Sequence, residues 1–447
     1  MYHSIQYHRV LCKRSRCTCS FIVAALSMFS VVGAIASDKT DTPLNLKSLI
    51  EQVLQNNPEI PRTRASWQSA KAKTDQVSAY PDPMLSYSVA PQTIFSKQSD
   101  YGQIINVSQV MPWPGKLNVK KEIAQWQASA IRETIGTTRL ALIAASKMQF
   151  ADWQYVHAAI ELNTQNKSLL QEFKNIAEIK YSAGRASKQD VLRAEVEFTL
   201  LEKTDEALNR QKATIAAQIN NLLNWASKSP LAMPNQDVVP YPLIDIRRLP
   251  QLVLQSHPRL KQINASLVAA EKQQLLAKRE FYPDIQLKVS YNSLRMNTDN
   301  QFTVGVGFNI PLSEKRNAAV DEASFKKSTL NWRKQSLIAE INKLIQIHHA
   351  RVVESEQVIK LFESRILPLA EDNLKAARSD YESGQGNFLD MITAEQNLIR
   401  LQLQLLETRS NYKKQVALLE EISGGSEILE KSYLSGKAPS NDRRYMQ

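Results

Sequence analysis

The segment YSAGRASKQDVLRAE at residues 181–195 recurs as YESGQGNFLDMITAE at residues 381–395. Its tyrosine, glycine, aspartate and Ala-Glu pair return at a constant offset of 200 residues. Two further matches hold nearly the same offset, LQNNP at 54–58 with LQSHP at 254–258 and YPD at 80–82 with YPD at 282–284. Because the proline and glycine positions also match, chance similarity between amphipathic helices does not explain the pattern. The chain is therefore one unit written twice.

Both copies predict the same order of elements: a helix, a β-hairpin, a very long helix and a shorter helix. A Tyr-Pro-Asp step ends the first helix, and a proline-containing exit follows the hairpin. The Asn-Pro and His-Pro steps at 57–58 and 257–258 should start or kink the first helix. The first copy is predicted at 37–242, with helices over 44–79, 116–181 and 188–225 and a hairpin at about 84–111. The second copy is predicted at 243–423, with helices over 249–281, 313–381 and 388–422 and a hairpin at about 284–310. Residues 424–447 are predicted to form a C-terminal tail.

The lengths of the helices predict how they pack. About 65 residues of helix extend roughly 100 Å, and the two shorter helices of a copy, laid end to end, would reach a similar length. The predicted fold is mainly α with a small β part, although a solvated coiled-coil stalk would explain the helices alone. Apolar residues three and four positions apart on the first long helix favour antiparallel coiled packing; they include Leu140, Ile143, Ala144, Phe150 and Trp153.

Residues 1–36 predict a cleaved secretory signal peptide rather than part of the fold. Four basic residues and no acidic one precede an apolar run at 21–35, which ends in small residues and is too short for an ordinary membrane helix. A tail or a membrane anchor is the alternative. All three cysteines lie before or at the edge of this run, so the predicted mature chain has neither a disulfide nor a lipid-acceptor cysteine.

Composition and motifs exclude several classes of function. The formal net charge is +12 over 447 residues, without a Lys/Arg run interleaved with aromatic residues, so no nucleic-acid surface is predicted. The sequence contains no G-x-S-x-G, no phosphate loop and no metal-ligand spacing, so we predict no enzyme, cofactor or metal site. The histidines beyond residue 36 are few and scattered: His157, His257, His348 and His349.

The predicted hairpins alternate apolar and polar residues in strands of about ten residues. In the second copy, apolar residues occupy every other position from Ile285 to Tyr291 and from Phe302 to Ile310. This is the span of a membrane β-strand, although a soluble hairpin packed on a helical core would alternate in the same way. The first copy is less regular, with Leu85, Tyr87 and Val89 in one strand and Ile105 and Val107 in the other.

Two hairpins give four strands, and four strands cannot close a barrel. An open sheet edge is not tolerated in lipid. Two chains would give eight strands, a size whose interior is filled by side chains, whereas three chains give twelve strands and room for a polar lumen. If the chain forms a membrane channel, the count therefore favours a trimer.

The chain resembles the TolC family of outer-membrane efflux proteins over nearly all of its predicted mature length. The resemblance rests on the two Tyr-x-x-Gly…Asp…Ala-Glu turns, the doubled helix–hairpin–helix order and the strand exits. It implies a homotrimer in the outer membrane, with a twelve-strand barrel and a periplasmic tunnel of long helices. It also implies a periplasmic adaptor at the helical tips and an inner-membrane pump as partners. The implied function is a passive conduit of a tripartite efflux system; the alternative is a structural periplasmic coiled-coil or adaptor protein without a channel.

The first strand exit, Pro112-Trp113-Pro114-Gly115-Lys116, is similar to that of family members associated with heavy-metal efflux. The alternative is that two prolines and a glycine merely turn a strand into a helix, with Lys116 in solvent. The second exit contains Pro311. Lipidated metal-efflux members carry an acceptor cysteine that this chain lacks, so the cargo, a metal cation or an organic compound, stays open.

Each matched turn predicts the end of one helix and the start of the next. A glycine takes the left-handed conformation that ends the long helix. Ser or Asn then caps the next helix, and an Asp three residues on gives a capping-box-like spacing. Capping alone is a sufficient account of these turns. The residues are Tyr181, Gly184, Ser187 and Asp190 in the first copy and Tyr381, Gly384, Asn387 and Asp390 in the second.

The resemblance adds a gating role at the second turn. It matches Asp390 to the acidic position of the periplasmic constriction, where three copies would attract cations and resist opening. It matches Tyr381 to the aromatic residue of the gate linkage. Gly386 stands where some family members carry an arginine, and Arg185 or Arg193 could substitute for that residue.

Overall fold

The computed structural model describes residues 43–89, 103–235, 246–293 and 301–428. The predicted signal peptide at 1–36 and the tail beyond residue 428 lie outside the described residues. So do the tips of both predicted hairpins and the end of the connector between the copies. The prediction of a mainly helical fold with a small β part is confirmed.

The helices follow the order of the repeat. The first copy contains α1 (Leu46–Asn56), α2 (Glu59–Ser78), α3 (Lys116–Ser182) and α4 (Lys188–Leu223). The second contains α5 (Leu249–Ser256), α6 (Pro258–Arg279), α7 (Ser313–Leu361), a π-helical turn (Phe362–Ile366), α8 (Leu367–Ser383) and α9 (Phe388–Ser423). Over the four described stretches of chain, no helix combines the length and the apolar character needed to cross a membrane.

The first helix of each copy, predicted over 44–79 and 249–281, is divided in two, which confirms the prediction that the Asn-Pro and His-Pro steps start or kink it. The break falls at Asn57 and at His257, directly before a proline that cannot continue a helical hydrogen-bond ladder. Both residues then cap the following helix. Asn57 Oδ1 accepts from the backbone N–H of Glu59 at 3.0 Å, and His257 Nδ1 accepts from that of Arg259 at 3.1 Å.

The prediction of one continuous α-helix over 313–381 is wrong, because a π-helical turn separates α7 from α8. The turn ends immediately before Leu367 and Pro368. In a continuous α-helix the Pro368 ring would clash with the carbonyl one turn earlier, and proline has no N–H to donate. A locally widened turn accommodates this residue without ending the helix.

The helices pack as one layer with α3 inside it. α3 contacts α1, α2 and α4 of its own copy and α6 and α9 of the second copy. α7 packs against α6 and α9, and α8 packs against α9. Across the layer the order is therefore α2 with α4, then α3, then α6 with α9, then α7 with α8, so that α2 and α4 form one edge and α7 and α8 the other.

Apolar clusters hold this layer together at intervals along α3. Around its middle, Phe150 and Trp153 pack with Val53 of α1 and Ile219 of α4. Towards its end, Phe173 packs in a second cluster with residues of α8 and α9. Full burial of each large apolar side chain contributes about 1.5–3 kcal/mol, so the clusters provide the main attraction between helices.

The strands β1 (Met84–Val89), β2 (Gln103–Met111), β3 (Ile285–Ser293) and β4 (Gln301–Phe308) form one antiparallel sheet in sequence order. Its pairing aligns side chains into rows across the sheet. One apolar row is Leu85, Val107, Val289 and Val304, all of them exposed.

The opposite face of the sheet is polar. Asn106 donates from Nδ2 to the Ser86 hydroxyl at 3.3 Å and accepts from the Ser290 hydroxyl, which links three neighbouring strands. Ser290 is buried whereas the apolar row is exposed. The alternative of a soluble hairpin with its apolar face packed on helices is therefore not what this protomer shows.

Candidate functional site: the helix tips and the strand-to-helix junction

The first helix tip joins α3 to α4. Gly184 has φ 70°, and a Cβ placed there would meet no atom within 4 Å. Its backbone conformation, rather than lack of space, therefore explains the glycine. The Arg185 N–H returns to the Lys180 carbonyl at 2.8 Å and satisfies one of the last carbonyls of α3.

The predicted N-cap at Ser187 is confirmed, and it is part of a complete capping box. The backbone N–H of Asp190 donates to the Ser187 hydroxyl, and the backbone N–H of Ser187 donates to the Asp190 carboxylate, both at 3.3 Å. A carboxylate in the first turn also favours the dipole of α4.

The second tip, between α8 and α9, is built more tightly. Gly384 has φ 82°, and the N–H groups of Gln385 and Gly386 both donate to the Asp380 carbonyl at 2.9 Å. A Cβ on Gly386 would come within 2.9 Å of Asp380 Cβ. Gly386 is therefore required by the close approach of the backbone, which explains why no arginine stands at this position.

The predicted N-cap at Asn387 is confirmed, but this cap operates in one direction. Asn387 Oδ1 accepts from the Asp390 N–H at 2.8 Å. The Asp390 carboxylate is exposed and has no partner within the described residues. Asp390 is therefore free to act on solvent ions, unlike Asp190, which is engaged in the capping box.

The two tips are joined through Tyr381. This residue is only 4 % exposed and packs edge-on against Phe388 with ring centroids 5.2 Å apart, whereas Tyr181 is 47 % exposed. Burial, with the nearby charge of Asp190 as a second cause, raises the pKa of Tyr381. The matched tyrosines therefore have different surroundings, and the one that contacts both tips is Tyr381.

A lysine that the sequence analysis missed spans the junction between the tips. Lys180 of α3 donates to the carbonyls of Tyr381 and Glu382, the latter at 3.2 Å, and its ammonium lies 4.2 Å from the Tyr381 ring centroid. A cation at these carbonyls also favours the C-terminal dipole of α8. Arg185 and Arg193 form no ion pair within the described part of the chain, and Lys180 is the basic residue that lies between the two tips of this protomer. The sequence does contain a sign that Lys180 has a special role, because the matching residue of the second copy is Asp380.

The junction between strand β2 and helix α3 is the second region with a dense set of polar contacts. Gly115 begins α3 with φ 86°, and a Cβ there would lie 2.2 Å from Arg279 Nη1. That guanidinium donates to the Gly115 carbonyl at 2.8 Å. Both the backbone conformation and the close approach of Arg279 require glycine at this position.

Lys116 is 1 % exposed, so the expectation of a solvated lysine is wrong. Its ammonium lies 2.8 Å from Asp284 Oδ1 and 3.3 Å from Glu280 Oε2, and it donates to the Tyr282 carbonyl at 2.9 Å. Asp284 also accepts from the Trp113 N–H at 2.9 Å. We call these residues the junction cluster: Trp113, Lys116, Glu280, Tyr282 and Asp284.

The junction cluster explains the proline-rich exit of the first copy. The bends at Pro112 and Pro114 bring Trp113 onto Tyr282, with stacked ring centroids 5.3 Å apart. The second exit has no equivalent cluster in the described residues, since α7 begins at Ser313 after the half-buried Pro311 without a side-chain cap. The Pro112–Lys116 segment is thus a structural tie between the copies.

The described histidines have structural surroundings. Burial, with Lys212 as a second cause, lowers the pKa of His157 to about 4, and burial, with Arg259 as a second cause, does the same for His257. His348 pairs with Gln415 at 2.9 Å. Among the described residues, no three His, Cys, Asp or Glu side chains converge on a point where a metal ion could be held.

Comparison with protein families places both copies in one group. The family described as Outer membrane efflux protein matches residues 49–224 and 249–425. The two matched segments coincide with the two copies of the repeat.

Individual relatives agree with this match. The probable efflux pump outer membrane protein SepC of Pseudomonas putida is 25 % identical over 340 residues, covering 73 % of this chain and 70 % of SepC. The cation efflux system protein CusC of Escherichia coli is 21 % identical over 407 residues, covering 85 % of this chain and 86 % of CusC. A crystal structure of CusC superposes with a TM-score of 0.73 at 18 % identity, covering 85 % of this chain and 92 % of that one, and so shows the same fold.

Proposed function

Because this chain belongs to the outer membrane efflux protein family, we propose that three copies of it form the outer-membrane channel of a tripartite efflux system. The channel is a passive conduit from the periplasm to the exterior and catalyses no reaction. Its strands form a twelve-strand barrel in the outer membrane, and its helices form a periplasmic tunnel.

The observation that carries this proposal is the sheet. The four-stranded sheet has two unpaired edge strands, β1 and β4. Its apolar face is exposed in the single protomer. Open edges are not tolerated in lipid. Pairing of β4 of one copy with β1 of the next satisfies both edges, and three copies leave a polar lumen lined by the face that carries Asn106 and Ser290.

The helical layer supports the same closure. Its two edges expose large apolar side chains that a monomer would leave in water. Contact between the α4 edge of one copy and the α7–α8 edge of the next would cover both. These residues are Leu192 and Val196 on α4 and Phe325, Trp332, Leu361 and Leu369 on the other edge.

The tips are the proposed periplasmic gate. Lys180, Tyr381 and Phe388 hold the two tips of a protomer together, while Asp390 carries a charge with no partner in the described structure. Three Asp390 carboxylates around one axis would attract cations and repel each other. A periplasmic adaptor is the partner expected at these tips, and an inner-membrane pump is the partner beyond it.

The cargo is a separate matter. CusC is by name a cation efflux protein, but the first strand exit is explained here by the junction cluster. A resistance profile of a deletion strain against metal salts and organic compounds decides between the two classes of cargo.

Bilayer recording tests the channel and its gate. The protein purified from outer membranes in detergent should be trimeric, and it should conduct with cation selectivity in planar bilayers. Asp390→Ala should reduce that selectivity, whereas Asp190→Ala, which removes the carboxylate engaged in the first cap, should not. A soluble periplasmic monomer would reject the channel in favour of the structural or adaptor alternative, and unchanged selectivity in Asp390→Ala would reject a gating role for the Asp390 carboxylate.

A further inference from the structure

The two copies differ at one buried carboxylate. Glu195 and Glu395 occupy the same position of the repeat. Glu195 is half exposed and forms an ion pair with Lys174 of α3. The residue that corresponds to Lys174 in the second copy is Leu374. The second copy therefore keeps the carboxylate and has lost its cation.

Glu395 has no replacement partner in the described structure. It is 2 % exposed, and neither carboxylate oxygen has a hydrogen-bond partner. Its neighbours Ile392, Ala394 and Leu398 belong to the apolar cluster near the tips. An isolated buried carboxylate is costly, so this position calls for a proton or for a cation that comes from outside the protomer.

Glu395 lines a cavity between α4 and α9, with α3 behind it. The cavity has a volume of about 540 Å³, within the range typical of ligand sites. Leu200 and Leu201 of α4 and Ile392, Ile399 and Leu403 of α9 form apolar walls, and Tyr155 of α3 adds an aromatic residue to the lining.

The charges of the cavity favour a cation. Its ionisable groups are Glu197 from α4, Tyr155 from α3, and Glu395, Arg400 and Glu407 from α9. Three carboxylates thus stand against one guanidinium. Burial is the main cause that raises the pKa of Tyr155, and the charge of Glu407 adds to it, in agreement with a negative environment at that end of the cavity.

The chemistry of the cavity separates two kinds of cation. A divalent metal ion needs several converging oxygen or nitrogen ligands, and such a group is absent from the described residues. A single buried carboxylate surrounded by leucine, isoleucine and tyrosine suits an organic ion, since an aromatic ring also attracts cations. We propose that this cavity binds amphipathic monocations, with an apolar body and one positive charge, and that Glu395 provides the opposing charge.

The proposal goes beyond the conduit function. All the residues that line the cavity belong to one protomer, so the site does not depend on assembly of the channel. It also predicts a dependence on pH. Burial raises the pKa of Glu395 to about 7, so the carboxyl is largely neutral at pH 6 and largely ionised at pH 8. A cation should bind the ionised form, and binding should therefore release a proton.

The test uses the full-length protein in detergent and tetraphenylphosphonium as the probe. The charge of this ion does not change with pH, so a pH dependence of binding reports the protein. Isothermal titration calorimetry should give saturable binding at pH 8 and roughly tenfold weaker binding at pH 6, because only the ionised fraction of Glu395 is competent. The neutral analogue triphenylphosphine oxide should bind more weakly than the cation at pH 8 and should lack this pH dependence.

Two variants decide the role of the carboxylate. Glu395→Gln keeps the shape of the side chain and should weaken binding at least about tenfold and remove its pH dependence. Glu195→Gln changes the matched, ion-paired carboxylate and should leave the affinity within about twofold. Unchanged binding by Glu395→Gln, or no saturable binding by the unaltered protein, would overturn the proposal. Conductance of the same preparations tests the channel separately. Conduction without binding of the probe would reject only the proposed site. Binding of the probe without conduction would reject only the proposed conduit.

Discussion

The two copies of the repeat share one order of elements but differ in how their polar groups are satisfied. In the first copy, Lys174 pairs with Glu195, and Ser187 and Asp190 cap each other. In the second, Glu395 and Asp390 have no such partners in the described structure. Duplication thus kept the backbone plan, while individual substitutions left the second copy with carboxylates available for other interactions.

The difference also makes the copies complementary. Lys116 and Lys180 stand at the two ends of α3, and each reaches into the second copy. Lys116 contacts the carboxylates before β3, and Lys180 contacts the carbonyls at the end of α8. Each tie thus joins a cation of the first copy to acceptors of the second.

Lys116→Ala should break this complementarity with the largest effect. It would remove the buried cation shared by Glu280 and Asp284, whose side chains are 27 % and 25 % exposed, so the loss should approach but not exceed the roughly 3–5 kcal/mol of a fully buried ion pair. Thermal unfolding in detergent, followed by circular dichroism, measures the loss of stability.

The matched control for Lys116→Ala is Lys326→Ala. Lys326 pairs with Glu322 on the surface of α7, where both side chains are exposed, and such pairs contribute about 0.2–1 kcal/mol. Equal losses of stability in the two variants would show that the junction cluster is not a tie between the copies.

Glu395→Gln should act in the opposite direction and stabilise the protein above pH 7. The pKa of Glu395 rises from 4.5 to about 7 on folding, so folding favours the protonated form. The contribution of the Glu395 carboxyl to the free energy of unfolding is therefore fully present below pH 4.5 and is lost as the pH rises through 7. At pH 8, the free energy of unfolding of Glu395→Gln should exceed that of the unaltered protein by about 3 kcal/mol, and the advantage should vanish near pH 4.

Glu195→Gln sharpens the comparison at the same pH values. Its carboxylate is half exposed and paired, so its replacement should change stability by less than about 1 kcal/mol at any pH. Matching pH profiles for the two glutamine variants would contradict the assignment of an unpaired carboxyl to the second copy alone.

Gly115→Ala and Gly184→Ala should differ by a smaller amount. Both glycines have positive φ, but a Cβ at Gly115 would collide with Arg279 while a Cβ at Gly184 would meet nothing. The conformational cost alone is about 1–2 kcal/mol, so Gly184→Ala should lose about that amount and Gly115→Ala more. Unfolding midpoints of the two variants, compared under the same conditions, measure the difference, and a larger loss for Gly184→Ala would contradict the packing at the junction.

Much of the fold could be predicted because its signals are local. Proline and glycine stop helices wherever the tertiary contacts lie, and the repeat supplied each signal twice. The π-helical turn was missed although Pro368 marks it, because the helical pattern continues on both sides of that residue.

The polar contacts were harder to predict because they depend on distant partners. Lys116 and Glu280 are 164 residues apart in the chain, and nothing in the neighbourhood of Lys116 indicates that it is buried. The isolation of Glu395 is a property of packing, but the exchange of Lys174 for Leu374 was visible in the repeat. Proline, glycine and capping residues mark the turns, whereas this exchange lies within the helices.

The π-helical turn gives α7 and α8 different rotational phases. A π turn adds about one residue to a helical turn, and one residue of an α-helix corresponds to a rotation of about 100°. The side chains of α8 therefore point about 100° away from the directions that an uninterrupted α7 would give them. The matched helix α3 has no such turn, and its Tyr181 points to solvent while Tyr381 points into the junction between the tips. The proposed gate tyrosine lies about four helical turns beyond this change of phase, and removal of one residue from 362–366 would rotate α8 and its tip relative to α7 without changing any residue in the tip.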